Sequence, residues 1–171
     1  MRKGYRETKT HVYFWNSSLS NFHKMSIEIE GDKGEKFPTS EHLFMYYKAL
    51  HFNDLDAAER ITRVKPPAFA KDIGRAVRNY NDEEWDNVRY QYMVDTLRRK
   101  YANPSKERDF LVGTHPKILV EGSPYDKVWG VGIHYKDRRI VDVRNWEGDN
   151  LLGKALMEVR KKVLDNLTVT W

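Results

Sequence analysis

A carboxylate held in its charged form can do chemistry that a neutral one cannot, and Glu41 stands where the charged form would be favoured, in the run Phe37-Pro38-Thr39-Ser40-Glu41-His42. Pro38 fixes its own φ and biases Phe37 towards extended backbone, so a strand can end there. Thr39 or Ser40 then caps a helix in which Leu43, Tyr46, Tyr47 and Leu50 recur at helical spacing. Glu41 falls in its first turn, where unpaired N–H groups and the helix dipole favour the ionised carboxyl. Such a group suits a base, a nucleophile or a partner for a developing cation, and suits a general acid poorly. A Glu that merely complements the dipole occupies the same position, so the stretch alone leaves both readings open. His42 is next to it, but adjacent helical residues point about 100° apart, which favours packing or support over a joint role.

Two further groups of residues have types and spacing suited to a ligand. Lys71, Arg75 and Arg78 are four and three apart, so on a helix they share a face that could cradle phosphate or simply meet solvent. The loop Gly122-Ser123-Pro124-Tyr125-Asp126-Lys127-Val128-Trp129-Gly130-Val131-Gly132 is rich in glycine and aromatics and carries a carboxylate. That make-up fits a ligand-gripping loop, and it equally fits an ordinary turn with Trp129 in the core. No phosphate-binding GxxxxGK[ST], GxGxxG after a strand, HExxH or GxSxG occurs. The six His show no metal-ligand spacing, and with no Cys there is no thiolate site or Cys nucleophile.

The elements that must position these groups follow along the chain. Residues 1–10 are polar and are expected to form a loose arm, with one domain over 11–171. His11–Trp15 is β-prone and ends at a turn-forming Asn16-Ser17-Ser18. Met25, Ile27 and Ile29 alternate with polar residues, and Gly31-Asp32-Lys33-Gly34 turns that strand back towards Phe37 as a hairpin. After the Glu41 helix, Asp54 caps a second helix with Leu55, Ala58 and Ile61. Pro66-Pro67 opens a third, with Phe69, Ile73, Val77 and Tyr80 inward. Asn81-Asp82-Glu83-Glu84 opens the longest helix, to about Ala102, with Trp85, Val88, Tyr92 and Leu97 as its stripe. Ser105 caps a short helix, 117–121 is a buried strand, 140–143 an edge strand, and Asn150 caps a last helix with Leu151, Leu152, Ala155, Leu156, Val159 and Val163 inward. The expected fold is mainly α with a small antiparallel β element.

Composition supports a folded chain: 40% apolar, 13% aromatic, with five Trp and ten Tyr in 171 residues, against 32% charged. No apolar run approaches membrane-spanning length and no signal-like segment follows the basic start, so a soluble cytoplasmic monomer is expected. A net charge of +5 is compatible with an anionic ligand such as nucleotide or nucleic acid.

Seven stretches in order resemble the NADAR domain family, also called YbiA-like. They are Tyr13-Phe14-Trp15 with Leu19-Ser20-Asn21-Phe22; Phe37 to His42; Lys71-Asp72-Ile73-Gly74-Arg75; Trp85 with Val88-Arg89; Leu119-Val120-Glu121; Asp126-Lys127-Val128-Trp129-Gly130; and Asn150-Leu151-Leu152-Gly153 with Leu156-Met157-Glu158-Val159-Arg160. The resemblance covers roughly residues 12–164 and implies a YbiA-like fold and an N-glycosidase. Its members act on phosphoribosylaminopyrimidine intermediates of riboflavin biosynthesis, or remove ADP-ribose from guanine bases of DNA or RNA. The family's catalytic Glu falls on Glu41, and further active-site positions fall on Trp85, Asp126 and Trp129. Asn21 enters as a substrate-binding position on the same basis. Lys71 and Arg75 become expected phosphate contacts, and Asp126 an expected ribose contact. Phe14, Trp15 and Trp129 offer flat faces for a base. No metal or cofactor is implied. A non-catalytic binder of ADP-ribose or nucleotide is the rival, though a carboxylate beside an anion would weaken binding. Extra residues, about His134 to Trp146, depart from the family pattern beside the expected site.

Overall fold

Residues 4–168 are described by a computed structural model. They form six helices and two small sheets, the mainly helical α+β class expected. Contacts divide the chain into two compact units. One joins the segment through Ser20 to the segment from Lys106 onward, and the other is Asn21–Ser105.

The first, discontinuous unit is built on three strands in the order β1-β2-β5: β1 (Tyr5–Glu7), β2 (His11–Phe14) and β5 (Ile118–Glu121). The expected loose arm over 1–10 is therefore a strand at residues 5–7, paired antiparallel with β2 so that Tyr5 lies opposite Phe14. The sheet is also not purely antiparallel. β2 and β5 run parallel, His11 opposite Ile118 and Phe14 opposite Glu121. A parallel pair demands a long crossover, which residues 15–117 supply. Tyr13, Val120, Val131, Ile133, Tyr135 and Ile140 form one core cluster, with Trp15 and Trp146 packed on it.

The unit closes with α5 (Lys106–Gly113) and α6 (Leu151–Thr168). Asn150 does not cap α6 with its side chain. Its carbonyl accepts from Lys154 N at 3.1 Å, while its carboxamide spans to β5, accepting from Glu121 N and donating to Leu119 O, both at 3.0 Å. Its φ of 54° is a left-handed conformation that Asn tolerates better than most residues. Gly153 completes the fit, because a Cβ there would run into the Leu119 carbonyl. The edge strand expected over 140–143 is instead two short 3₁₀ turns, Arg138–Val141 and Val143–Asn145. Asp137 and Asp142 open them by accepting the N–H of Arg139 and of Arg144, and each also pairs with that same Arg side chain. Local Asp-to-backbone bonding outcompetes a ladder here.

The second unit is organised on α1 (Ser40–His51), which follows a hairpin of only two residues a side, β3 (Ile29–Glu30) and β4 (Lys36–Phe37). Met25 and Ile29 are buried as the alternation requires, but Ile27 is half exposed because the chain bends before the ladder begins. Thr39, not Ser40, is the N-cap, accepting from His42 N. α1 packs against α2 (Leu55–Arg63), α3 (Pro67–Arg75) and α4 (Asp82–Lys100), and so is buried nearly all round. Asp54 caps α2 and Asn81 caps α4, as expected. Phe69 and Tyr80, expected inward, are exposed; Ala70, Ile73 and Gly74 face α1, and a Cβ at Gly74 would strike Met45. Small residues on α3 bring it close to α1 and leave no room for large ones.

The bridge at Asn150 gives a direct test. Asn150→Ala should lower stability by about 2–4 kcal/mol, from two unmade buried hydrogen bonds and a poorer fit at positive φ. Asn150→Gly, which relieves only the backbone, should recover about 1 kcal/mol of that in urea denaturation. If Asn150→Ala matched the parent chain, the bridge would contribute nothing.

Candidate active site

Glu41 is the second residue of α1 and is 7% exposed. Its backbone N–H donates to Asn21 O at 3.0 Å, and the Ser40 hydroxyl donates to Asn21 Oδ1 at 3.0 Å. Asn21 donates in turn to the Met93 sulfur at 3.6 Å. Two of the expected site residues thus touch, with Asn21 acting on the backbone that carries Glu41. His42 is fully enclosed. Its Nε2 donates to Val64 O at 3.1 Å, which leaves Nδ1 to accept from the Thr39 hydroxyl at 2.8 Å. Burial lowers its pKa, so it is a neutral packing residue that locks the cap.

Two turns beyond Glu41 on the same edge of α1 lies Lys48, 8% exposed. Its ammonium sits 4.2 Å from the Tyr80 ring centroid and 5.5 Å from that of Trp85. Burial pulls its pKa below that of an ordinary lysine, opposed by the charges of Asp82 and Glu41 and assisted by Arg75. One amine therefore gathers three expected residues, Glu41, Arg75 and Trp85, into a single neighbourhood. Lys48 itself escapes sequence reasoning because a lysine in an amphipathic helix reads as surface. The seven-residue interval from Glu41 was the available signal.

Trp85 is 6% exposed, stacked on Tyr92 at 5.8 Å between centroids and tilted against Phe44 at 5.4 Å. Most of its ring is core, and Lys48 meets its remaining face. The basic stripe does not survive intact. α3 ends at Arg75, so Arg78 lies beyond the helix and turns to Asp54, donating from Nη2 at 2.8 Å and from its backbone N at 2.8 Å. Arg75 is largely exposed, only 3.8 Å from Asp72 in a loose pair, and Lys71 stands 5.5 Å over the Phe22 ring.

The remaining expected residues belong to the discontinuous unit. Asp126 Oδ1 accepts from Val128 N at 2.9 Å and from Trp129 N at 2.7 Å, closing the loop into a tight turn. Trp129 is half-buried, and its carbonyl accepts from Leu152 N at the start of α6. Trp15 is half-buried with its ring against Tyr125 and His134. Phe14 is a correction. At 0% exposure, at the end of the β2–β5 pairing opposite Glu121, its ring has no face to offer a base. β2 is the central strand and Val12, Tyr13 and Phe14 are all buried, so Phe14 is enclosed whichever face it takes, away from the role its aromatic type suggested.

A groove of about 490 Å³ on α1 and α4, lined by Asp32, Tyr47, Tyr92, Asp95, Arg98 and Arg99 among others, contains none of the expected residues. Within it Arg99 pairs with Asp32 and also donates to Glu30 O. Among the described residues no three His, Asp or Glu are grouped to hold a metal ion, and no helix is long and apolar enough to cross a membrane.

Comparison with known proteins gives the chain's relatives. The model of the NADAR domain matches residues 5–164. Protein irg-1 of Caenorhabditis elegans is 34% identical over 91% of this chain and 81% of its own. N-glycosidase R617 of Acanthamoeba polyphaga mimivirus is 31% identical over 78% and 79%. N-glycosidase YbiA of Escherichia coli (strain K12) is 33% identical over 90% and 89%. The NMR structure of the E. coli protein YbiA superposes with a TM-score of 0.75 at 30% identity, covering 98% of this chain and 92% of that one.

The reassignment of Arg78 carries its own prediction. The Arg78 side chain and backbone N–H hold the Asp54 carboxyl well below the usual carboxylate range. Its stabilising effect is then complete above the ordinary value of 3.8 and is lost as pH falls from there towards the lowered folded value. Asp54→Ala should cost about 1–2 kcal/mol near neutral pH, through the lost cap and ion pair, and flatten the acid side of the stability curve. Thermal melts from neutral pH into the acid range check both. Arg78→Ala should lower stability without altering substrate KM, unlike a phosphate contact.

Proposed function

This chain belongs to the NADAR domain family, and from that membership we propose that it is an N-glycosidase cleaving a ribosyl C–N bond, either releasing ADP-ribose from guanine bases of nucleic acid or hydrolysing phosphoribosylaminopyrimidines. The observation that carries the reading is the pair on α1: a nearly buried carboxylate at the helix start and, two turns on, a buried amine whose charged form is disfavoured. As the bond breaks, its electron pair leaves with the base nitrogen and positive charge grows on the ribose. Glu41, charged beside the N-terminal amides of α1, steadies that cation and takes a proton from the water attacking the anomeric carbon. Lys48, poorly solvated as an ammonium, gives its proton to the departing nitrogen. Arg75 and Lys71 serve the phosphates, Trp15 and Trp129 the base, and Asp126 the ribose hydroxyls through its second oxygen. A non-catalytic binder would have no use for a carboxylate enclosed beside its anionic ligand.

The decisive experiment incubates the protein with an ADP-ribosylated guanine oligonucleotide and with a phosphoribosylaminopyrimidine, and follows released base and ribose by mass spectrometry. Glu41→Gln should fold normally and lose turnover by about 10²-fold or more. Near-parental kcat in that variant would remove Glu41 from the chemistry. Lys48→Arg keeps the charge but not a readily donated proton, so it should lose activity nearly as far. Because burial lowers the Lys48 pKa, the parent's kcat should decline on the basic side below the ordinary lysine value of 10.5. A borohydride-reduced sugar adduct on Lys48 would instead make the amine a nucleophile.

Asp126→Asn retains an acceptor for the turn amides while discarding the charge. It should keep the melting temperature and lose activity. Full activity would leave Asp126 a purely architectural residue.

A further inference from the structure

Tyr125 is 85% exposed, the most exposed of the large apolar side chains described. It is nonetheless held from both sides. Its backbone N–H donates to Ser123 Oγ at 3.3 Å, and the next residue, Asp126, ties down Val128 N and Trp129 N. Its ring lies 5.8 Å from that of Trp15, and the Trp15 ring meets His134 edge-on at 5.2 Å. Trp15 is anchored by its N–H to Gly4 O at 2.7 Å. His134 is anchored by Lys136 N, which donates to Nδ1 at 3.2 Å, and by its carbonyl, which accepts from Asp137 N at 2.8 Å. Three rings from three segments with anchored backbones thus meet, and one projects into solvent.

Solvent gives no reason to gather aromatic rings on anchored backbone and leave one of them bare. A flat partner does, since a preordered ring loses little entropy on stacking. Exposed Lys136 and Arg138 follow His134 two and four residues on in the chain, and the Lys136 ammonium lies 5.5 Å from the centroid of the neighbouring Tyr135 ring. Aromatic faces interleaved with cations match a strand whose bases are unpaired and whose backbone is anionic. We propose that Tyr125, Trp15 and His134 form a ledge that stacks an unpaired base of a single-stranded nucleic acid, with Lys136 and Arg138 on its phosphates. The inference extends the nucleic-acid branch of the function proposed above. It assigns to the extra segment that begins at His134 the task of selecting polymer over free nucleotide. A protein or small-molecule partner would not require both the free ring face and the cations.

The test measures binding of a fluorescein-labelled, unmodified single-stranded oligonucleotide by anisotropy, alongside the matching duplex and a mononucleotide. The parent chain should bind the single strand in preference to both. Tyr125→Ala should weaken it about tenfold, the effect of losing one base stack, while Tyr125→Phe retains most of the affinity. Lys136→Ala with Arg138→Ala should flatten the salt dependence. Both Tyr125 variants should melt like the parent and hydrolyse a small N-riboside at its rate. Equal affinity of Tyr125→Ala and parent, equal binding of duplex and single strand, or no binding by the parent would each overturn the ledge. Because unmodified strand is not turned over, the same titration with Glu41→Gln separates the two readings. Parental affinity without activity leaves the ledge standing on its own.

Discussion

The start of α1 is the constraint on which the rest depends. A helix that begins inside a protein presents amides with no helical partner, and each must be satisfied or the helix frays. Here Thr39 accepts from His42, and the Asn21 carbonyl accepts from Glu41. Those bonds satisfy the first amides, and only a first turn satisfied in this way can be buried with Glu41 on it. α2, α3 and α4 then all pack on this helix. The packing of the second unit and the placement of Glu41 thus have one origin.

Much of this was legible because its causes are local. Pro-Thr-Ser-Glu announces a capped helix start, Asp54 and Asn81 announce two more, and Pro67 opens a third. Such signals need only neighbours in sequence. The failures share the opposite character. That Phe14 is enclosed depends on β5, more than a hundred residues away in the chain. That Arg78 answers Asp54 depends on where α3 stops. Tyr80 and Lys48 acquire meaning only from each other. In the segment from His134 to Trp146 two Asp residues satisfied backbone amides locally, and β propensity at Ile140, Val141 and Val143 yielded to that chemistry.

Asp126 shows why assigning one role to one residue is insufficient. One of its oxygens accepts two backbone N–H groups, which fixes the turn presenting Trp129 and steadies the loop at Tyr125. A carboxylate has lone pairs beyond those two bonds. Architecture and chemistry can therefore reside on different oxygens of one side chain, and a substitution to Ala removes both together.

The parallel pairing of β2 with β5 has a consequence for how the chain is made. β2 ends at Phe14 and β5 begins at Ile118, and every residue of the second unit is threaded between them. A nascent chain carries all of Asn21–Ser105 out of the ribosome while β2 has only β1 for a partner. The second unit, whose contacts are drawn from one continuous stretch, can assemble during that interval. The first unit must wait for its C-terminal half and then close a loop across a region already compacted, which shortens the effective distance its ends must span. Synthesis from the N-terminus thus lets the unit that contains Glu41 assemble before the sheet has all its strands.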